Sequence, residues 1–173
     1  REIYGHILSR NPEHDFEPSL DRVRDAMALL GDPQHAYKVV HLTGTNGKTS
    51  TARMVESLVR EHGLRTGLFT SPHLTSVRER IQIDGEPIAQ DEFIRLWHEV
   101  APIIHLVDAR SAEAGGPRLS FFEVLTVLAY AAFADAPVDV AVVEVGMGGV
   151  WDATNVADGA VSVITSVAMD HQQ

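Results

Sequence analysis

Lys38-Val-Val-His-Leu-Thr-Gly-Thr-Asn-Gly-Lys-Thr-Ser50 is the stretch on which the fold turns. Residues 38–43 are mostly apolar or β-branched and read as a short buried strand. Gly44-Thr-Asn-Gly47 turns the chain, and Met54, Val55, Leu58 and Val59 then recur at helical spacing up to a closing Gly63. In a strand, glycine loop and helix in direct succession, backbone N–H groups can close around phosphates. The helix start adds positive potential and Lys48 a point charge. The strict pattern has a glycine where this chain has Leu42, so the loop is a shortened variant. Gly44, Thr45, Asn46, Gly47, Lys48, Thr49 and Ser50 are the expected triphosphate cradle. The plainer alternative is a capped strand-to-helix turn with a surface lysine.

Working outward, residues 1–18 are polar with no clean period, whereas Leu20, Val23, Met27 and Leu30 follow Ser19, a good N-cap, at helical spacing. A second strand is expected over 65–70, broken by Ser71-Pro72, and a third over 80–84 that Gly85 turns into a hairpin. Residues 91–107 read as a helix that Pro102 should end or kink, with a small-residue loop over 109–117. Ser120 and Glu123 form a capping box ahead of an apolar helix, 121–133. Strands follow over 138–145, nearly all apolar and so covered on both faces, and over 161–167. Strands alternating with helices predict an α/β fold with a mostly parallel, doubly wound sheet, a phosphate loop and a small antiparallel hairpin addition.

The 173 residues are 45% apolar and 22% charged, enough to bury a core as one domain, 1–173. Fourteen basic against 24 acidic residues give a net charge of −10, which opposes wrapping a nucleic-acid backbone. No apolar run approaches the roughly 18 residues of a membrane span, so no membrane partner and a cytoplasmic setting are expected. The absence of cysteine leaves only oxygen and imidazole as metal ligands. Arg1 is not an initiator methionine and Gln173 follows closely on a strand-like run, so a piece of a longer protein is expected.

Glu144 interrupts an apolar strand just before Gly146-Met-Gly-Gly149, and a buried carboxylate needs a cation or donors. Beside a phosphate loop it is placed to hold Mg²⁺; alternatively it caps the glycine turn. His171 should emerge on the same sheet edge and could serve a second metal, or be a solvated side chain. Ser71 could offer a hydroxyl to Mg²⁺ or substrate, or simply open a proline turn. Phe121, Phe122 and Trp151 are either core aromatics or a stacking surface near Asp152 and Asn155.

Three segments together resemble the folylpolyglutamate synthase and dihydrofolate synthase family of the Mur ligase superfamily. They are His41-Leu-Thr-Gly-Thr-Asn-Gly-Lys-Thr-Ser50, Thr70-Ser-Pro-His-Leu74 with Arg78-Glu-Arg-Ile81, and Val142-Val-Glu-Val-Gly-Met-Gly-Gly-Val-Trp-Asp-Ala-Thr-Asn-Val156. The resemblance implies an N-terminal ATP-binding domain and ATP-dependent ligation of L-glutamate to dihydropteroate or folate through an acyl phosphate. It implies that Gly44 to Ser50 hold the phosphates and that Lys48, Glu144 and His171 are catalytic. Of two Mg²⁺ ions, Ser71 and Glu144 would bind one, and Glu144 with His171 would reach the other. Substrate contacts would fall on Ser71, Pro72, His73, Ser120, Phe122, Asp152, Ala153 and Asn155.

The family usually has arginine where this chain has Val150. It also has a C-terminal Rossmann-like domain and a carbamylated lysine beyond His171, neither of which this chain contains. A monomer acting on small molecules is expected, with the fragment alone inactive. The competing readings are a sister ligase acting on a UDP-muramyl precursor and a non-catalytic nucleotide-binding module.

Overall fold

The computed structural model describes residues 2–10, 19–147 and 149–168. The loop-bearing strand β1 (Lys38–Thr43) lies between β5 (Val140–Glu144) and β6 (Gly159–Ile164), parallel to both, and β2 (Thr66–Phe69) pairs in parallel on the far side of β5. β3 (Ile81–Ile83) and β4 (Glu86–Pro87) complete the six-stranded order β4-β3-β2-β5-β1-β6 as an antiparallel hairpin on β2. The expected α/β sheet with its hairpin is therefore present. Because four strands run in parallel, the segments following β1, β2, β5 and β6 all leave at one edge, which is where such sheets place ligands.

α3 (Lys48–Glu61) covers one face of the sheet, where Leu42, Ala52, Leu68 and Val142 form a small core. Its buried face carries Ala52 and Glu56, while Met54 and Leu58 are exposed. Glu56 is accommodated there by the Thr66 hydroxyl at 2.5 Å and Arg60 Nε at 3.0 Å. The opposite face carries the larger core, built on α5 (Phe121–Asp135) with α2 (Asp21–Leu29) and α4 (Gln90–Glu113) packed outside it. β2 is buried at all four positions, as a strand covered on both sides should be.

Three local expectations are corrected. Residues 2–8 form a helix, α1 (Glu2–Leu8), that their polarity concealed: Ile7 is fully buried, and Arg10 just beyond anchors the segment through Asp108 at 2.8 Å and the Leu119 carbonyl at 2.9 Å. Leu20 rather than Ser19 is the N-cap of α2, and the Ser19 hydroxyl accepts from Asp21 N at 3.1 Å. α4 is not ended by Pro102 and continues through it into the expected loop, as far as Glu113. Phe93, Leu96, Trp97, Val100, Ile104 and Val107 are buried on both sides of the proline, and at about 1.5–3 kcal/mol per large apolar side chain they outweigh its penalty of about 3 kcal/mol. Pro102 itself faces solvent. Replacing it with alanine is expected to stabilise the protein by about 1–3 kcal/mol, read as a rise in urea midpoint; a fall would mean that the ring makes contacts the helix needs.

Candidate active site

The phosphate-loop sequence forms the turn expected of it. Gly44 (φ +138°) and Gly47 (φ +79°, the N-cap of α3) take conformations that favour glycine. The N–H groups of the first turn, Lys48, Thr49 and Ser50, have no carbonyl partner within the helix and face outward from its positive end. Lys48 folds back over the loop and donates from Nζ to the Gly44 carbonyl at 2.8 Å. The segment after β6 closes the other side: Thr45 N and Asn46 N donate to the Ser166 carbonyl at 2.9 and 3.4 Å, and the Thr45 hydroxyl donates to the Ala168 carbonyl at 3.1 Å.

Glu144 ends β5 beside this loop and is only 3% exposed. The Thr49 hydroxyl lies 2.9 Å from each of its carboxylate oxygens, and Ser71 N donates to Oε2 at 3.2 Å. Burial pushes its carboxyl above the usual range. The Thr49 hydroxyl, the Ser71 N–H and the Lys48 and Arg53 cations oppose that shift. Ser71 thus meets Glu144 through its backbone, following β2 and preceding a cis Ser71–Pro72 peptide. Among the described residues no group of three His, Asp or Glu side chains converges as a metal site. The available donors are the Glu144 carboxylate and the Thr49 hydroxyl, all-oxygen chemistry that suits Mg²⁺ and lacks the soft ligands zinc prefers. His171 lies outside the described residues.

Ser120, Phe122, Asp152 and Ala153, four of the eight expected substrate contacts, line one small cleft together with Glu123, Gly146, Met147 and Trp151. Phe122 is buried against Phe69 (ring centroids 5.6 Å apart), whereas Trp151 is 56% exposed. The aromatics therefore divide: Phe121 lies in the core beneath Arg80, 5.1 Å from its ring centroid, and Phe122 and Trp151 face the cleft. A Cβ at Gly146 would stand 2.6 Å from the Phe122 ring, so this glycine lets the turn pass the aromatic wall. The α5 capping box closes as expected, with Glu123 N to Ser120 Oγ at 3.2 Å and Ser120 N to Glu123 Oε2 at 2.6 Å.

Asp152 is buried and faces inward to the backbone. Its Oδ2 accepts from Gly146 N and Met147 N, both at 2.9 Å, and its Oδ1 accepts from Thr154 N at 3.0 Å and from the Thr154 hydroxyl. Burial raises its carboxyl, and these donors oppose the shift. Asn155 stands apart from the cleft lining and donates to the Gly149 carbonyl at 2.7 Å. His73 is likewise not among the lining residues: its Nδ1 accepts from Arg80 Nε at 2.9 Å, which leaves Nε2 as the protonated nitrogen facing the Tyr4 hydroxyl at 3.2 Å. Val150 is 75% exposed.

Sequence reasoning passed over His41, Thr154 and Tyr130. His41 Nε2 lies 2.7 Å from Thr154 Oγ1, and the Tyr130 hydroxyl donates to the Thr154 carbonyl at 2.7 Å. Polar residues inside otherwise apolar elements were the available signal, since buried polar groups need partners.

No family model matches the chain. It is 55% identical over 170 residues to the dihydrofolate synthase/folylpolyglutamate synthase of Mycobacterium tuberculosis, covering 96% of this chain and 35% of that protein. The fold superposes on the crystal structure of Mycobacterium tuberculosis folylpolyglutamate synthase complexed with ADP and AMPPCP with a TM-score of 0.91 at 51% identity, over 98% of this chain and 36% of that one. A folylpolyglutamate synthase–AMPPCP–folate complex matches with a TM-score of 0.86 at 38% identity, over 99% of this chain and 41% of its own. The chain spans about a third of the length of the Mycobacterium tuberculosis relative. Over the part of those proteins that it spans, the chain matches the folylpolyglutamate synthase and dihydrofolate synthase family in both sequence and fold.

Proposed function

We propose that residues 1–173 are the N-terminal ATP-binding domain of a ligase that joins L-glutamate to dihydropteroate or to a folate, with hydrolysis of ATP to ADP and phosphate. The observation carrying this reading is the opening of three features on one sheet edge: the α3 N-terminus with Lys48, the buried Glu144, and the aromatic cleft behind the glycine turn. The reaction asks for two displacements. The acceptor carboxylate attacks the γ-phosphorus and ADP leaves, giving an acyl phosphate; the glutamate amine then attacks the acyl carbon and phosphate leaves. No covalent protein nucleophile is needed, so the protein's task is to position the reactants, compensate charge and exclude water.

In this reading the loop from Gly44 to Ser50 receives the phosphates on its N–H groups. Lys48 exchanges its bond to the Gly44 carbonyl for the β- and γ-oxygens. Phe122 and Trp151 offer faces to a pterin ring, while Asp152 shapes the cleft through the Gly146 and Met147 N–H groups. Mg²⁺, held by Glu144 and Thr49 with Ser71 beside them, would neutralise phosphate charge. A second ion is assigned to Glu144 and His171. A cytoplasmic monomer with small-molecule substrates is the setting this reading carries.

Labelled glutamate offered to the native-length protein with ATP and Mg²⁺ tests the assignment. Incorporation into dihydropteroate alone makes it a dihydrofolate synthase, and incorporation into tetrahydrofolate as well makes it bifunctional. Incorporation into neither overturns the reading. Glu144→Gln, which keeps the shape and removes the charge, is expected to raise the Mg²⁺ concentration for half-maximal activity at least about tenfold. An unchanged Mg²⁺ titration would make Glu144 a structural cap of its loop.

A further inference from the structure

One largely buried hydrogen-bond chain joins the phosphate-loop strand to the aromatic cleft, and the reaction scheme above gives a role to Asp152 at its end but none to His41 and Thr154. His41 stands on β1 three residues before Gly44, with Nε2 at 2.7 Å from Thr154 Oγ1. Thr154 is fully buried, and its hydroxyl bonds Asp152 Oδ1. The other oxygen of Asp152 holds the Gly146 and Met147 N–H groups, whose residues form one wall of the cleft.

A hydroxyl owns one proton, and directionality follows from that count. Thr154 spends its proton on Asp152, so it can only accept from His41, and the imidazole must carry its hydrogen on Nε2. Burial holds His41 below its ordinary pKa, which agrees with a neutral ring. The Thr154 carbonyl is fixed independently by the Tyr130 hydroxyl at 2.7 Å, and the Tyr130 carbonyl by the Tyr37 hydroxyl at 3.0 Å. Only the threonine hydroxyl therefore depends on His41 for its orientation. Without that donor the hydroxyl can rotate away from Asp152, and the carboxylate loses one of the two Thr154 bonds that aim its other oxygen at the Gly146 and Met147 N–H groups.

We propose that His41 is a positioning residue for the acceptor site: through Thr154 it orients Asp152, and through Asp152 it sets the Gly146–Met147 wall of the cleft. This rests on the cleft being the acceptor site. It also makes the strand that leads into the phosphate loop a support for the second substrate.

The test uses the native-length protein with His41→Leu, His41→Gln and Thr154→Val, tetrahydrofolate and dihydropteroate as acceptors, and hydrogen exchange at the Gly146 and Met147 amides. In His41→Leu and Thr154→Val the acceptor KM is expected to rise about tenfold, the worth of one buried hydrogen bond, with the KM for ATP changed less than about twofold. Gln can present a side-chain N–H where Nε2 stood and should recover most of the loss. The double variant His41→Leu/Thr154→Val should be no worse than Thr154→Val, because the two act in series. Exchange of the two amides should quicken about tenfold in His41→Leu. An acceptor KM unmoved in an active enzyme, or an equal rise in the KM for ATP, overturns the positioning role. Unchanged amide exchange overturns it whatever the acceptor proves to be, whereas an enzyme inactive on both acceptors but with quickened exchange overturns only the folate reading.

Discussion

A Lys48→Ala variant of the native-length protein is expected to lose about a thousandfold in kcat, the scale on which removal of one charge-stabilising group acts, while its thermal midpoint stays close to wild type. Lys48 is the first residue of α3, and among the described residues its side chain bonds the Gly44 carbonyl at 2.8 Å, at a partly buried position. Losing that bond costs about 1 kcal/mol or less, because the carbonyl can turn to water. The loop itself is held by other bonds, from Thr45 N and Asn46 N to Ser166 and from the Thr45 hydroxyl to Ala168. Folding and chemistry should therefore separate. In the proposed reaction negative charge builds on the departing ADP oxygen as its bond to the γ-phosphorus breaks, and an ammonium beside the β- and γ-oxygens is worth most at that moment. The loss should consequently appear in kcat more than in the KM for ATP. Activity near wild type would return the segment to the plainer alternative, a capped turn with a surface lysine.

The sheet was legible because its strands announce themselves by composition. Residues 38–43 were bounded correctly from β-branched and apolar residues alone, and Ser120 with Glu123 marked the start of α5 because a capping box is a local device. Pro102 misled because local penalty and tertiary burial are in conflict at that point, and six buried side chains outweigh one missing N–H. The inward face of α3 was not legible for a related reason. Met54 and Leu58 share a helical spacing with Val55, but the sheet accepts Ala52 and Glu56, and only the positions of Thr66 and Arg60 make room for that carboxylate. At the site, the motifs identified which residues gather at one edge and left their division of labour open. Asp152, expected to touch substrate, lines the cleft, and its carboxylate also accepts four bonds from the chain's own donors, a structural duty the motif did not reveal. Such bookkeeping of donors and acceptors depends on residues more than a hundred positions apart, such as His41 and Thr154, whose spacing in sequence carries no period.

Gly44→Ala is expected to be the most damaging small substitution in the chain, costing about 3 kcal/mol or more of stability and abolishing measurable ATP binding. Two independent penalties coincide at this residue. Its φ of +138° is one that alanine rarely adopts, a strain of about 1–3 kcal/mol. The added methyl would also stand 2.0 Å from Thr165 Oγ1 and 3.1 Å from both Cβ and N of Thr165. Thr165 cannot retreat freely, because its N–H donates to the Thr43 carbonyl at 2.9 Å and so extends the pairing of β1 with β6. Either the loop moves, and its N–H groups no longer converge, or the end of that pairing opens. A second substitution distinguishes the penalties. Thr165→Ala removes the 2.0 Å contact and leaves the backbone contact and the dihedral untouched, so Gly44→Ala/Thr165→Ala should regain part of the thermal midpoint and little of the nucleotide affinity. Thermal unfolding and AMPPCP titration of the two variants, compared with Thr165→Ala alone, read the separation directly. A Gly44→Ala protein as stable as wild type would mean that the loop does not press against residue 165, and full recovery of affinity in the double variant would mean that the hydroxyl contact, rather than the left-handed backbone, is what reserves this position for glycine.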